Sequence, residues 1–217
     1  MDFSPYIVVL AFQFLLSQAS RSDKYVTCGS VLKLINVDHG VRLHSHEVKY
    51  GTGSGQQSVT ATQRQEDVNS HWLIKGTTKK PCPRGQALKC GDVIRLHHVS
   101  TSKNLHSHYF PSPLSESNQE VSAYGIDGEG DSGDHWMVVC EGEYWERDEE
   151  VMLKHVDTDM YLSVSGHKYG SPINGQMEVV GTSRMHSVHW IAGEGIYVHA
   201  SDLSDQLNAH GHVHSEL

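Results

Sequence analysis

Three observations predict an all-β protein, a β-trefoil built from three sequence repeats with pseudo-threefold symmetry. First, the blocks VLKLINVDHGVRLHSH, VIRLHHVSTSKNLHSH and EVMLKHVDTDMYLSVS share one frame, in which a Leu is followed three residues later by Val and nine later by Leu. The frame reads Leu34, Val37, Leu43, then Leu96, Val99, Leu105, then Leu153, Val156, Leu162. Second, a Gln recurs after each block (Gln57, Gln119, Gln176), and each unit closes on His-Trp: His71-Trp72, His135-Trp136 and His189-Trp190. Third, the apolar residues come in short alternating runs broken by DHG, STS or DTD, the pattern of hairpins, and no segment keeps a helical period over about twelve residues.

A unit of roughly fifty residues made of some four short strands cannot bury its own apolar face, so three such units must share a core. A β-trefoil does this by closing six strands into a barrel and capping one end with three hairpins. The expected repeats span about 26–80, 88–142 and 147–195, inside a domain of 26–195. The spacers TTKKPCPRGQAL and EGEYWERDEE are too short and too mixed in composition to be flexible linkers between separate modules. Leu34, Leu96 and Leu153 are expected to line the barrel. Trp72, Trp136 and Trp190 are expected to close each unit against the core, each contributing roughly 2 to 3 kcal/mol by burial.

The cysteines take their order from the repeats. Cys28 precedes the first strand of unit one and Cys82 follows its last; Cys90 and Cys140 bracket unit two in the same way. First and last strands of a trefoil unit run side by side, so Cys28 is expected to pair with Cys82 and Cys90 with Cys140, each closing a loop of about fifty residues. Zinc ribbons would want Cys-x2-Cys knuckles, which are absent, and no metal site is expected.

The ends of the chain carry addresses. Residues 7–16, IVVLAFQFLL, are too short to cross a bilayer, and small residues at Ser17 and Ala19 follow, so residues 1–19 read as a secretory signal peptide. The leading MDFSPY lacks the usual positive charge. His214, Ser215, Glu216 and Leu217 end a polar tail (196–217) and differ by one residue from the HDEL signal read by the endoplasmic-reticulum retrieval receptor. Together these describe a soluble lumenal protein, not a membrane-embedded one. A net charge of −9 with no basic run makes nucleic acid a poor partner.

The two copies of LHSH bring His44, His46, His106 and His108 to notice. Alternation sets each pair on one face of its strand and the leucine on the other, and unit three writes Ser163 and Ser165 in the same places. The histidines are therefore expected to face outward, as a binding surface rather than one four-histidine metal site. Tyr50, Tyr109 and Tyr169 follow the second strand of each unit and could serve a sugar, which needs an exposed ring beside polar groups. Turn packing is the competing role. Catalysis has little to stand on: the cysteines are expected in bridges, no GxSxG elbow occurs, and the carboxylates of DGEGD (127–131) and ERDEE (146–150) read as solvated loops.

With the residues in this order, VTCGSVLKLIN, VRLHSHEVKYGTGSGQQSVT, NLHSH and NQEVSAYG resemble the stromal cell-derived factor 2 family, three MIR repeats behind a signal peptide. The resemblance covers the chain from Val26 to Leu217. It implies a β-trefoil in the endoplasmic-reticulum lumen, without cofactor or catalytic residues. The implied partners are a J-domain co-chaperone and a BiP-type chaperone, with unfolded or glycosylated proteins as clients. MIR repeats also occur in protein O-mannosyltransferases, which keeps a lectin-like function as the alternative.

Overall fold

The computed structural model describes residues 24–199; the signal peptide expected at 1–19 and the retrieval signal His214–Leu217 lie outside the described residues. Among the described residues the fold is all-β with twelve strands, four from each repeat. Unit one contributes β1 (Val31–Asn36), β2 (Val41–Lys49), β3 (Gln57–Thr62) and β4 (Trp72–Lys75). Unit two contributes β5 (Val93–His98), β6 (Lys103–Pro111), β7 (Gln119–Tyr124) and β8 (Trp136–Val139). Unit three contributes β9 (Met152–His155), β10 (Tyr161–Lys168), β11 (Met177–Thr182) and β12 (Trp190–Ile196). Short 3-10 turns at Val68–Ser70 and Ser132–Asp134 lead into β4 and β8.

The first and last strands of the units pair around a ring. β1 pairs β4, β4 pairs β5, β5 pairs β8 and β8 pairs β9, all antiparallel. The ring closes where Val151 bridges Trp190 and β12 pairs β1. The middle strands form hairpins, β2–β3, β6–β7 and β10–β11, whose inner strands β3, β7 and β11 also pair with one another. Among the described residues each first and last strand is paired or bridged on both sides, which leaves the ring without an open edge.

Apolar alternation explains why these segments are strands. Leu34, Leu96 and Leu153 are fully buried, as are Leu43, Leu105 and Leu162. Trp72, Trp136 and Trp190 are fully buried too, and each indole N–H donates to the carbonyl of its unit's second leucine, Leu43, Leu105 and Leu162, at 2.9 Å. A buried indole needs such an acceptor, and the repeat supplies it three times. A further cyclic set closes the core: Val26 N–H donates to Trp145 O, Leu88 N–H to Val26 O and Trp145 N–H to Leu88 O. Trp145 is therefore the third-unit counterpart of Val26 and Leu88.

Units are latched to their neighbours by one residue at the end of each first strand. His98 Nε2 lies 2.9 Å from Asn69 O in unit one, and His155 Nε2 lies 2.8 Å from Gly133 O in unit two. In unit one the place is taken by Asn36, whose Nδ2 donates to Ser187 O of unit three at 2.8 Å. Backbone bonds repeat the cycle, from Val99 N–H to His71 O, Val156 N–H to His135 O and Val37 N–H to His189 O.

Disulfides join Cys28 to Cys82 and Cys90 to Cys140, the pairing expected from their places in the repeat. In unit three Arg147 occupies the position of the first cysteine, and its guanidinium lies 3.9 Å from the centroid of the Tyr197 ring. A cation–π contact thus stands where the other units have a covalent one.

One feature of the repeat frame needs correction. Strand pairing makes Gln57 and Gln119 equivalent, opposite Lys49 and Pro111, whereas Met177 holds that place in unit three, opposite Lys168. The loop before β11 is one residue longer, so Gln176 is the counterpart of Gln56 and Asn118.

Candidate functional site: histidine–carboxylate pairs and the cleft between units one and two

The LHSH segments do not present their first histidines to solvent. His44 and His106 are buried, along with Leu43, Ser45, Leu105 and Ser107 on the opposite face of the same strands. The reason is the 3-10 turn before β4 and β8, which folds over the outer face of the hairpin and supplies a carboxylate. His44 Nδ1 lies 2.7 Å from Asp67 Oδ2, and His44 Nε2 lies 2.8 Å from His46 Nδ1. Burial pushes the Asp67 carboxyl up, but bonds from Ser70 and His44 outweigh it and leave the group below the usual carboxylate range. Burial, with the neighbouring His44, lowers His46.

In unit two His106 Nδ1 lies 3.1 Å from Asp134 Oδ1 and 3.6 Å from Asp131 Oδ1. His108 turns the other way, placing Nε2 3.0 Å from Glu120 Oε1. His46 and His108 are partly exposed. Unit three has Ser163 in the first histidine place, donating to His186 O. Asp67 and Asp131 both stand five residues before the unit's Trp, a spacing that could have marked them as histidine partners from sequence.

The three tyrosines separate. Tyr50 is in the core, its hydroxyl 2.9 Å from the carbonyls of both Val59 and Val121, which excludes the sugar-contacting role for it and leaves packing. Burial, together with the nearby Tyr169, raises its pKa well above the ordinary value. Tyr169 is half-buried beside it, with ring centroids 6.2 Å apart. Tyr109 is exposed, and its hydroxyl donates to Asp157 O across the junction with unit three. It is not equivalent to the other two: the residue that aligns with Tyr50 and Tyr169 is Ser112, whose N–H donates to Asn118 O as Tyr50 N–H donates to Gln56 O.

The ring-plus-polar arrangement occurs elsewhere. A cleft of about 710 Å³ lies between the hairpins of units one and two, lined by Glu47, Gln56 and Gln57 on one side and Lys103, Tyr124 and Asp131 on the other. Tyr124 is partly exposed there and packs on His106 at 4.8 Å between ring centroids. Gln57 spans the junction, donating to Ser45 Oγ and to Thr101 Oγ1 of unit two, both at 2.8 Å. Lys103 Nζ donates to Gly125 O, which fixes the loop carrying exposed Ile126. A face of one aromatic ring beside amide, ammonium and carboxylate groups can take a polyhydroxylated ligand. None of Tyr50, Tyr109 and Tyr169 lines this cleft.

Buried acids elsewhere are structural. Glu178 is fully buried and accepts bonds from Ser112 Oγ, Leu114 N–H, Ser115 Oγ and Ser165 Oγ. Glu120 accepts from Ser54 Oγ and Ser54 N–H beside its His108 contact. Among the described residues no helix is long and apolar enough to cross a membrane.

Comparison with known proteins agrees with the geometry. Residues 33–139 match the MIR domain family. Stromal cell-derived factor 2 of Bos taurus is 53% identical over 213 residues, covering 97% of this chain and 99% of its own. The crystal structure of the SDF2-like protein from Arabidopsis thaliana is 42% identical, with a TM-score of 0.79, covering 82% of this chain and 99% of that one. The S. cerevisiae protein O-mannosyltransferase Pmt1–Pmt2 complex, bound to the sugar donor, is 29% identical with a TM-score of 0.69, matching 87% of this chain but 30% of its own. On this identity and coverage, the chain belongs to the stromal cell-derived factor 2 family.

Proposed function

We propose that this chain is a non-enzymatic β-trefoil of the endoplasmic-reticulum lumen that assists folding and quality control. In this reading it works with a J-domain co-chaperone and, through it, a BiP-type chaperone. Its family relation carries the proposal: the Bos taurus relative is matched over 99% of its length. The ring of strands capped by three mutually paired hairpins supports the trefoil assignment. Two disulfides support an oxidising compartment. The non-enzymatic reading draws on how fully the chemistry-bearing groups are engaged, with all four cysteines bridged and Glu178 held by four donors. Crosslinking and mass spectrometry of lumenal partners test it: a J-domain protein should be recovered with the chain.

A second reading, favoured by the cleft at Tyr124, is glycan binding. The Pmt1–Pmt2 complex named above is a protein O-mannosyltransferase bound to its sugar donor, and the match of this chain to 30% of it supports a sugar-related role for modules of this kind. Glycan-array binding that disappears in Tyr124→Ala would favour this reading.

A further inference from the structure

We propose that His106, Asp131 and Asp134 form a site for one divalent cation of the zinc or manganese class in the second unit. Ligand atoms of the three residues all lie within 4.8 Å of one another. His106 Nδ1 is 3.1 Å from Asp134 Oδ1 and 3.6 Å from Asp131 Oδ1. Donors held about 2.1 Å from a tetrahedral ion stand roughly 3.4 Å apart, so both separations from the imidazole nitrogen already fit one centre. One imidazole nitrogen with two carboxylates suits zinc or manganese better than calcium, which collects six or more oxygens. Asp131 is exposed on one side, leaving room for water or a ligand atom to complete the coordination.

The three units supply their own comparison. Unit one has the same histidine–aspartate pair, His44 and Asp67, but Ser70 stands in the place of Asp134, and the pair is already closed at 2.7 Å. Unit three has Ser163, Met185 and Val188 at the corresponding positions. The fold therefore forms this corner with one carboxylate or with none. In unit two a second, fully buried carboxylate faces the same imidazole nitrogen, an excess of negative charge that a cation would neutralise.

The surroundings hold the donors in place. Asn104 Nδ2 donates to Asp134 Oδ2 at 2.9 Å, and Gly133 N–H donates to Asp131 Oδ1 at 2.9 Å. The backbone is bare where it meets the site: a Cβ at Gly130 would lie 1.8 Å from Asp134 Oδ2, and one at Gly133 would lie 2.3 Å from His106 Cε1.

The test uses the full chain, because His210, His212 and His214 of the tail are a competing source of metal binding. Titration with Zn²⁺ is read by calorimetry, and with Mn²⁺ by paramagnetic broadening of assigned amide signals. Broadening should fall first on Gly130 and Gly133. Asp131→Asn and Asp131→Ser, both of which can still cap the following turn, should weaken Zn²⁺ by at least about tenfold at this site, while Asp67→Asn leaves it unchanged. Broadening confined to the tail, or an unchanged affinity in folded Asp131 variants, overturns the proposal.

Discussion

His98 packs on Trp72 with ring centroids 4.8 Å apart and planes inclined by 52°, and it does so across the junction between two units. His155 repeats the relationship on Trp136. Each imidazole is fully buried, packed on a neighbour's core tryptophan and bonded to the carbonyl of that neighbour's 3-10 turn, so two of the three junctions favour an uncharged ring.

Acid should therefore loosen the junctions. Burial lowers the His98 pKa to about 4. The folded state then binds its proton less readily than the unfolded chain, so this contribution to stability is fully present above about pH 6.5 and is lost as pH falls toward 4. Urea unfolding at pH 7.5 and 4.5 should show His98 accounting for roughly 2 to 3 kcal/mol of the loss. His98→Asn, the residue unit one uses as Asn36, should flatten that part of the profile.

The covalent and non-covalent closures of the units should differ in strength. Replacing Cys90 and Cys140 together by Ser should cost about 2 to 5 kcal/mol in thermal or urea unfolding, because a loop of about fifty residues is released. Arg147→Ala, which removes the contact with Tyr197, should cost about 1 kcal/mol.

Glu178 should tolerate change poorly although it does not line the cleft. Glu178→Leu leaves four donors without their acceptor, the buried Ser112 Oγ among them, and a loss of about 2 to 4 kcal/mol is expected in equilibrium unfolding. Ser58 stands at the equivalent place in unit one, so Ser58→Ala should cost much less, about 1 kcal/mol.

Tyr124 should separate binding from stability. Its ring is partly exposed, so Tyr124→Ala should leave the melting temperature within about 2 °C of the parent while weakening any cleft ligand by about tenfold on a glycan array.

The architecture was legible because burial imposes a period: Leu34, Leu43 and Trp72 recur with their partners at places that only a shared core explains. The disulfide pairing followed from position within that period. Strand alternation misplaced His44 and His106, since it describes one hairpin and says nothing of the 3-10 turn that comes from elsewhere in the unit to cover the outer face. Tyr109 was aligned by residue type where the hairpin register aligns Ser112, and the extra residue before Met177 hid the shift of Gln176. The Tyr124 cleft belongs to no single unit. It forms only where two hairpins meet, so no motif within a repeat could announce it.

The most direct test of the proposed role is crosslinking and mass spectrometry of the chain with its lumenal partners under native conditions. A J-domain co-chaperone recovered as a stoichiometric partner, with a BiP-type chaperone joining through it, is the expected result. Recovery of mannose-type glycoproteins alone, lost in Tyr124→Ala and with no J-domain protein present, would contradict it.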